Sequence, residues 1–322
     1  MKINKLSDNF TPLHEGIFFG IDTEEESATD LVVEILERST GEVVATQMLR
    51  KVVSAKVNIA PYVNRFAEYR PTSHHQTAFS EAPAAAYKIR IGDTESEEVI
   101  VSINRTKIGT APALVTSLPQ ARRIARGENE EVVILSNKGD LICAEMEADN
   151  GEILYFEQIA TSEASILSIS PDEFDEEVKA FDVTLYCEGI TLNTLRYTIA
   201  LPTQNATRLA WISESGAIER YTFPQLSKAT LSTKKQSFMT SEGLCTAHCR
   251  TKQTISLSSR FEACATIEAL AQIASSPKVW VEQDDHFNLV EVTTSEISYN
   301  LFGDPSHINF NLCLWQKEVA LW

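Results

Sequence analysis

Glycine is scarce in this chain, with 12 in 322 residues, and the few are spread thinly. Phosphate-cradling loops, dinucleotide-binding turns and nucleophile elbows all need glycines set a few residues apart, so none of them can be built here. A His-Glu-x-x-His pair, a calcium-loop pattern and paired Cys-x-x-Cys are missing as well. No run approaches the ~18 apolar residues that a membrane-crossing helix needs. The opening MKINKLSDNFTPLHEG has no apolar centre, so no export leader is expected and synthesis in the cytoplasm is. Basic residues are in short supply too: 28 Lys+Arg stand against 45 Asp+Glu, a formal charge of −17. That field repels phosphate backbones, so neither nucleic acid nor an anionic membrane surface is expected as a partner. The densest basic patch, Arg122-Arg123-Ile124-Ala125-Arg126, is followed at once by Glu128, Glu130 and Glu131 and reads as a solvated turn.

What is present is an ordinary globular composition, 43% hydrophobic and 23% charged, on a chain long enough for two or three domains. The six cysteines (Cys143, Cys187, Cys245, Cys249, Cys264 and Cys313) stand singly in apolar runs, the pattern of buried free thiols. Short apolar runs separated by polar turns recur along the chain. Residues 17–22, 31–37, 43–49, 52–59, 86–93 and 99–103 give about six strands, the spacing of an immunoglobulin-like sandwich. One helical turn is expected at Pro61–Phe66. The segment Thr106–Gln120, with Gly109, Pro112 and Pro119, reads as a linker. The pattern then restarts with two consecutive hairpins turning at Lys138-Gly139 and Asn150-Gly151, followed by strands at 166–170, 180–187 and 195–201.

A third part opens with a hairpin over 208–223 and continues with strands at 230–239, 244–250, 253–257, 279–282, 289–294, 297–301 and 308–315. Within Phe261–Ala274, Ile267, Leu270, Ala271 and Ala274 repeat at helical spacing, and Pro277 stops the helix. The expectation is therefore a mostly β chain of two or three antiparallel sandwich-like modules in series, with one helix near 261–274. The modules would span 1–108, 109–203 and 204–322.

Four constellations could carry chemistry, each with a plainer reading. Cys245, His248 and Cys249 offer soft zinc ligands, but no second pair follows, and on a strand His248 faces away from the two cysteines. Asp284-Asp285-His286 could bind a cation or serve a hydrolase if further carboxylates converged, yet it sits where turn residues are common. His74-His75 lies in a polar loop. Asp172–Glu177 (DEFDEE) could offer calcium its oxygens, and equally forms a solvated acidic turn. No catalytic, metal or cofactor site is therefore expected. The aromatic residues are the better lead: Trp211, Tyr221, Phe223, Trp280, Trp315 and Trp322 are candidate anchors for a protein partner, since aromatics bury large area with few rotors.

The hairpin Leu209–Phe223 (LAWISESGAIERYTF) is similar to a W-x-N-x-x-G-x-x-D-x-Y-x-F signature of tail-type structural proteins of phages and prophages of Bacteroidetes-like bacteria. Ser213 stands in place of the Asn and Glu219 in place of the Asp. Val32–Phe66 resembles the opening strand–turn–strand unit of those proteins, and Ala265–Trp315 their closing helix, Ser-Pro and strands. The resemblance implies a virion or tail-like structural role, self-association with other structural proteins, and no catalysis. A carbohydrate-binding or adhesion module, with tryptophans stacking on a glycan, is the alternative.

Overall fold

The computed structural model describes residues 1–11, 15–38, 40–63, 71–73, 76–81, 85–101, 112–283, 286–299 and 305–320. In the N-terminal part, β1 (Lys2–Lys5), β2 (Phe18–Asp22), β3 (Thr29–Glu37), β4 (Val43–Val52), β5 (Ser54–Asn58), the helical turn α1 (Ala60–Val63), β6 (Ala78–Glu81), β7 (Ala85–Ile91), β8 (Thr94–Glu95) and β9 (Val99–Val101) follow one another. Five of the strands make one sheet, ordered β4-β3-β7-β8 with β9 also on β7, which faces a second sheet of order β1-β2-β5. The alternation in β7 does what its period predicts: Tyr87, Ile89 and Ile91 point inward, against Phe19, Val57 and Ile35. Each such aliphatic or aromatic burial contributes about 1.5–3 kcal/mol.

The middle part holds β10 (Ala113–Val115), β11 (Ala121–Ala125), β12 (Glu130–Leu135), β13 (Leu141–Ala148), β14 (Ile153–Ile159), β15 (Ala164–Ile169), β16 (Ala180–Cys187) and β17 (Ile190–Ala200). Its sheets are ordered β10-β12-β15-β6 and β11-β17-β16-β13-β14. Strand β6 thus comes from the chain's first hundred residues and pairs with β15 (Phe79 opposite Leu167). Two expectations need correction. The turn at Lys138-Gly139 carries the chain from β12 in one sheet to β13 in the other, so it bridges the layers instead of closing a hairpin. The hairpin at Asn150-Gly151 does form, with Gly151 at φ +87°. The Arg122–Arg126 patch is no solvated turn. It is β11, paired in parallel with β17, because Arg122 and Ile124 alternate onto the buried side.

The C-terminal part comprises β18 (Thr207–Ile212), β19 (Ile218–Phe223), β20 (Gln225–Thr240), β21 (Gly243–Ser258), α2 (Cys264–Ala271), β22 (Val279–Gln283), β23 (His286–Val292) and β24 (Asn309–Ala320). All seven strands join one sheet, ordered β19-β18-β22-β23-β24-β21-β20. Helix α2 covers one face, burying Ile267 and Leu270 against Trp211, Phe223 and Phe310. The two strands expected at 244–250 and 253–257 are one continuous β21. Ile297–Tyr299 is not a strand; Ile297 and Tyr299 pack on the core as irregular chain, and the residues after Tyr299 in the expected strand lie outside those described. Asn64–Phe66 of the expected helical turn also lies outside them.

Trp211 is fully buried at the centre of this sheet–helix core. Trp211→Ala is expected to lower stability by about 3–5 kcal/mol, read as a shifted denaturant midpoint. A change under about 1 kcal/mol would contradict its place in the packing.

Candidate functional site

The densest polar chemistry lies where the middle sandwich meets the seven-stranded sheet. Arg122 is buried and donates from Nη1 to Glu130 Oε2 (3.2 Å), from Nε to the Pro119 carbonyl (2.9 Å) and from Nη2 to Thr116 Oγ1 (2.6 Å). The Tyr197 hydroxyl donates to the same Glu130 oxygen at 3.0 Å. Across the seam, Glu219 Oε1 accepts from the Ser117 backbone N–H (2.7 Å) and Thr116 Oγ1 (2.9 Å). Arg208 reaches back with Nη2 to the Asn129 carbonyl (2.6 Å) and pairs through Nη1 with Glu128 (2.8 Å). Arg220 Nη2 donates to the Thr72 carbonyl (2.7 Å) and lies 3.4 Å from Glu131. Glu282 on β22 lies between the two guanidiniums, 3.2 Å from Arg208 and 3.7 Å from Arg220. A smaller seam joins the N-terminal sandwich: Arg38 forks onto Glu163 (3.3 and 3.2 Å), beside an apolar contact in which Phe10, Ile100, Leu135 and Ala217 come from all three parts.

Charges taken out of water must be paired, and these are. Burial opposes the charge on Arg122, but Tyr197, Glu130 and Glu219 around it hold the guanidinium protonated beyond its usual range. Burial also pushes the Tyr197 hydroxyl well up, assisted by Glu130. Glu219 is raised by burial too, against the pull of Arg122. These residues were not legible as a site. Glu219 and Arg220 are charged neighbours on β19 whose side chains leave opposite faces of the strand, and their partners come from distant parts of the chain. Glu219 is also the residue at the Asp position of the tail-protein signature, and its work here is to cap the Thr116-Ser117 turn.

The aromatic anchors separate. Trp211 and Phe223 are buried in the core beside α2, and Trp280 is buried on the sheet's other face with Ala210, Ile212 and Ile218. Side chains without exposed surface offer none to a partner. Tyr221 is half-buried, donating to Glu262 at 3.0 Å, and burial followed by Glu262 raises its hydroxyl far above the usual range. Trp315 is 43% exposed on β24, its indole N–H donating to Gln253. Trp322 lies outside the described residues, as do His74, His75, Asp284 and Asp285.

His286 is exposed at the start of β23, opposite Gln283. Cys245, His248 and Cys249 all lie on β21, with Cys245 Sγ 3.6 Å from Thr240 Oγ1. Among the described residues no group of three His, Cys, Asp or Glu is placed to hold a metal ion. The expectation of uniformly buried thiols is corrected: only Cys187 and Cys313 are buried, and Cys264 opens a helix. Burial, then Asp140, pushes the Cys187 thiol up to about 11, which makes it a poor nucleophile. Within Asp172–Glu177, Arg126 donates to the carbonyls of Phe174 (2.6 Å) and Asp175 (2.6 Å), and the Asp172 carboxylate accepts from the Gly127 N–H (2.9 Å). A cleft of about 390 Å³ opens along the seam between Leu118–Arg123 and Tyr221, Phe261 and Glu262. Its lining offers shape and charge, and Tyr221 keeps its proton.

Two outcomes follow for the seam. Arg220→Met takes from Glu131 its guanidinium partner while Glu282 keeps Arg208, which costs about 3–5 kcal/mol and is expected to split calorimetric unfolding into separate transitions. A single unshifted transition would contradict the pairing. Folding raises the affinity of Glu219 for its proton, so this group's contribution is present below its unfolded pKa and is lost as pH rises through the folded value. Glu219→Gln is therefore expected to match or exceed the parent near neutral pH, the two converging in acid. Glu219→Ala, which strands the Ser117 N–H, costs about 1–3 kcal/mol.

No protein-family profile matches the chain, and no curated protein matches it. Among solved structures it is similar to Dpr2 Ig1-Ig2 in complex with DIP-Theta Ig1-Ig3, at 11% identity and TM-score 0.20, covering 98% of this chain and 89% of that one. It is also similar to chicken CNTN1 FN1-FN3 domains, at 10% identity and TM-score 0.22 over 80% and 91% of the two chains. A marsupial T cell receptor gives 6% identity and TM-score 0.19 over 99% of each. At those scores the likeness says nothing of what this chain binds. By its own strands, the chain is a mostly β protein of several antiparallel sheets with one principal helix.

Proposed function

We propose that the chain is a non-enzymatic structural protein, a component of a phage- or prophage-derived tail or tail-like particle, that acts through contacts with other structural proteins and with itself. The observation that carries this reading is apolar surface on strand faces. Tyr155 is 70% exposed, Ile159 64%, Met239 74% and Leu244 71%, on sheets whose cores are already filled. Large apolar groups left in water along strands are what an assembly covers. The ion-paired seams support it as well, because they fix the modules relative to one another, as a load-transmitting part requires. On this reading the protein ends in a particle.

The carbohydrate-binding alternative wants exposed tryptophans in a row. Trp211 and Trp280 are buried, which leaves Trp315 as the exposed one among the described tryptophans. Size-exclusion chromatography with light scattering is the test, on the protein alone and with the products of its neighbouring genes. Assemblies larger than one chain are expected. A strict monomer in both settings would overturn the proposal, and glycan binding lost on Trp315→Ala would favour the alternative.

A further inference from the structure

Strands β20 and β21 form a hairpin of 16 residues a side, about 50 Å long at the usual rise per residue. Only its base belongs to the core, through Ile255 and Leu257. From Lys228 to Met239 every residue of β20 is exposed, so both faces of this stretch are in water. Strand β20 is also the end strand of its sheet, and its outer edge has no ladder partner among the described residues. The hairpin's charge is opposite to that of its parent: residues 225–258 carry five basic side chains against Glu242 alone, in a chain of net −17.

The compensating charge is concentrated elsewhere. Residues 141–190 hold thirteen carboxylates against Lys179. Within that stretch β14 is the end strand of the middle sandwich's larger sheet, and its other edge has no ladder partner among the described residues. Its outward row, Ile153-Tyr155-Glu157-Ile159, is exposed and sets one carboxylate among apolar groups, while Glu145 and Glu147 stand beside Tyr155 and Ile153 on β13. Glu145, first among its neighbours, holds the Tyr155 hydroxyl above its usual range, a sign of how dense the negative field is there. On β20 the exposed row Ala229-Leu231-Thr233-Lys235 runs from apolar to basic, and Lys228 and Lys234 stand on the other face of the same strand.

We infer that the β20 edge of one copy adds to the β14 edge of a second copy, joining their sheets by main-chain hydrogen bonds and matching lysines to carboxylates. This deepens the assembly reading above and rests on it. Pairing of β20 with β20 sets lysines against lysines, and β14 with β14 sets carboxylates against carboxylates, so both like pairings are disfavoured. Lysines on an exposed edge discourage such self-pairing. A contact between two different patches is heterologous and propagates head to tail, closing into a ring or extending as a filament.

A charge exchange tests this. One variant carries Lys228→Glu, Lys234→Glu and Lys235→Glu; the other carries Glu145→Lys, Glu147→Lys and Glu157→Lys, none of them in a core. Sedimentation velocity of the full chain is expected to show association that weakens with salt and falls about tenfold or more in each variant alone. An equimolar mixture of the two restores it, because each arm then meets an edge of opposite sign; a misfolded variant could not be rescued this way. Association that persists undiminished in both variants, or a mixture that stays dissociated, overturns this contact while leaving the assembly reading standing. A parent chain that is monomeric alone yet binds its neighbours' products also overturns it. A parent that does neither overturns both.

Discussion

An arginine removed from water must be given carboxylates and carbonyls in return, and the seam between the middle sandwich and the seven-stranded sheet meets that demand. Arg122, Arg208 and Arg220 are each engaged on both sides or at the border of that seam, by Glu130, Glu128, Glu131, Glu282 and main-chain oxygens. Such pairs add little net stability compared with an apolar contact of the same size. What they add is a fixed geometry, because a displaced module would leave charges buried and alone.

The seams explain why sandwich-like units behave here as one object. Strand β6 leaves the N-terminal part of the chain to complete a sheet of the middle one, and the Thr77 hydroxyl there accepts from the Ser170 N–H at 3.0 Å. Arg38 and the apolar group around Phe10 close the same gap from the other direction. Sandwiches strung on free linkers move relative to one another by default, and these contacts oppose that motion. Many of the strongly exposed apolar residues, among them Tyr155, Ile159, Met239 and Leu244, sit on strand faces, while Leu201 and Phe261 lie at the seam between the middle sandwich and the seven-stranded sheet.

Electrostatics adds a division. The acidic side chains crowd onto the middle sandwich while the hairpin is basic, so the molecule presents opposite signs at two separate edges. A field of that kind raises encounter rates between copies and selects against like edges meeting, and it weakens as salt screens it.

The sequence alone determined most of the strands and, where alternation is clean, which of their faces is apolar. Period-two alternation, as in Tyr87-Ile89-Ile91, and the Asn-Gly turn at 150–151 are local features with local causes. The helix near 261–274 was legible for the same reason, its apolar residues recurring at three and four. What only tertiary structure decided is which strands share a sheet and which polar groups are buried. The turn at Lys138-Gly139 reads the same whether it closes a hairpin or crosses between layers. Arg122 reads as part of a solvated turn until β17 and the seven-stranded sheet enclose it. Trp211 and Phe223 read equally as anchors or as core until α2 lies across them. Alternation reports that one face of a strand is apolar; it carries no information on what packs against either face, because that contact is made by residues far away along the chain.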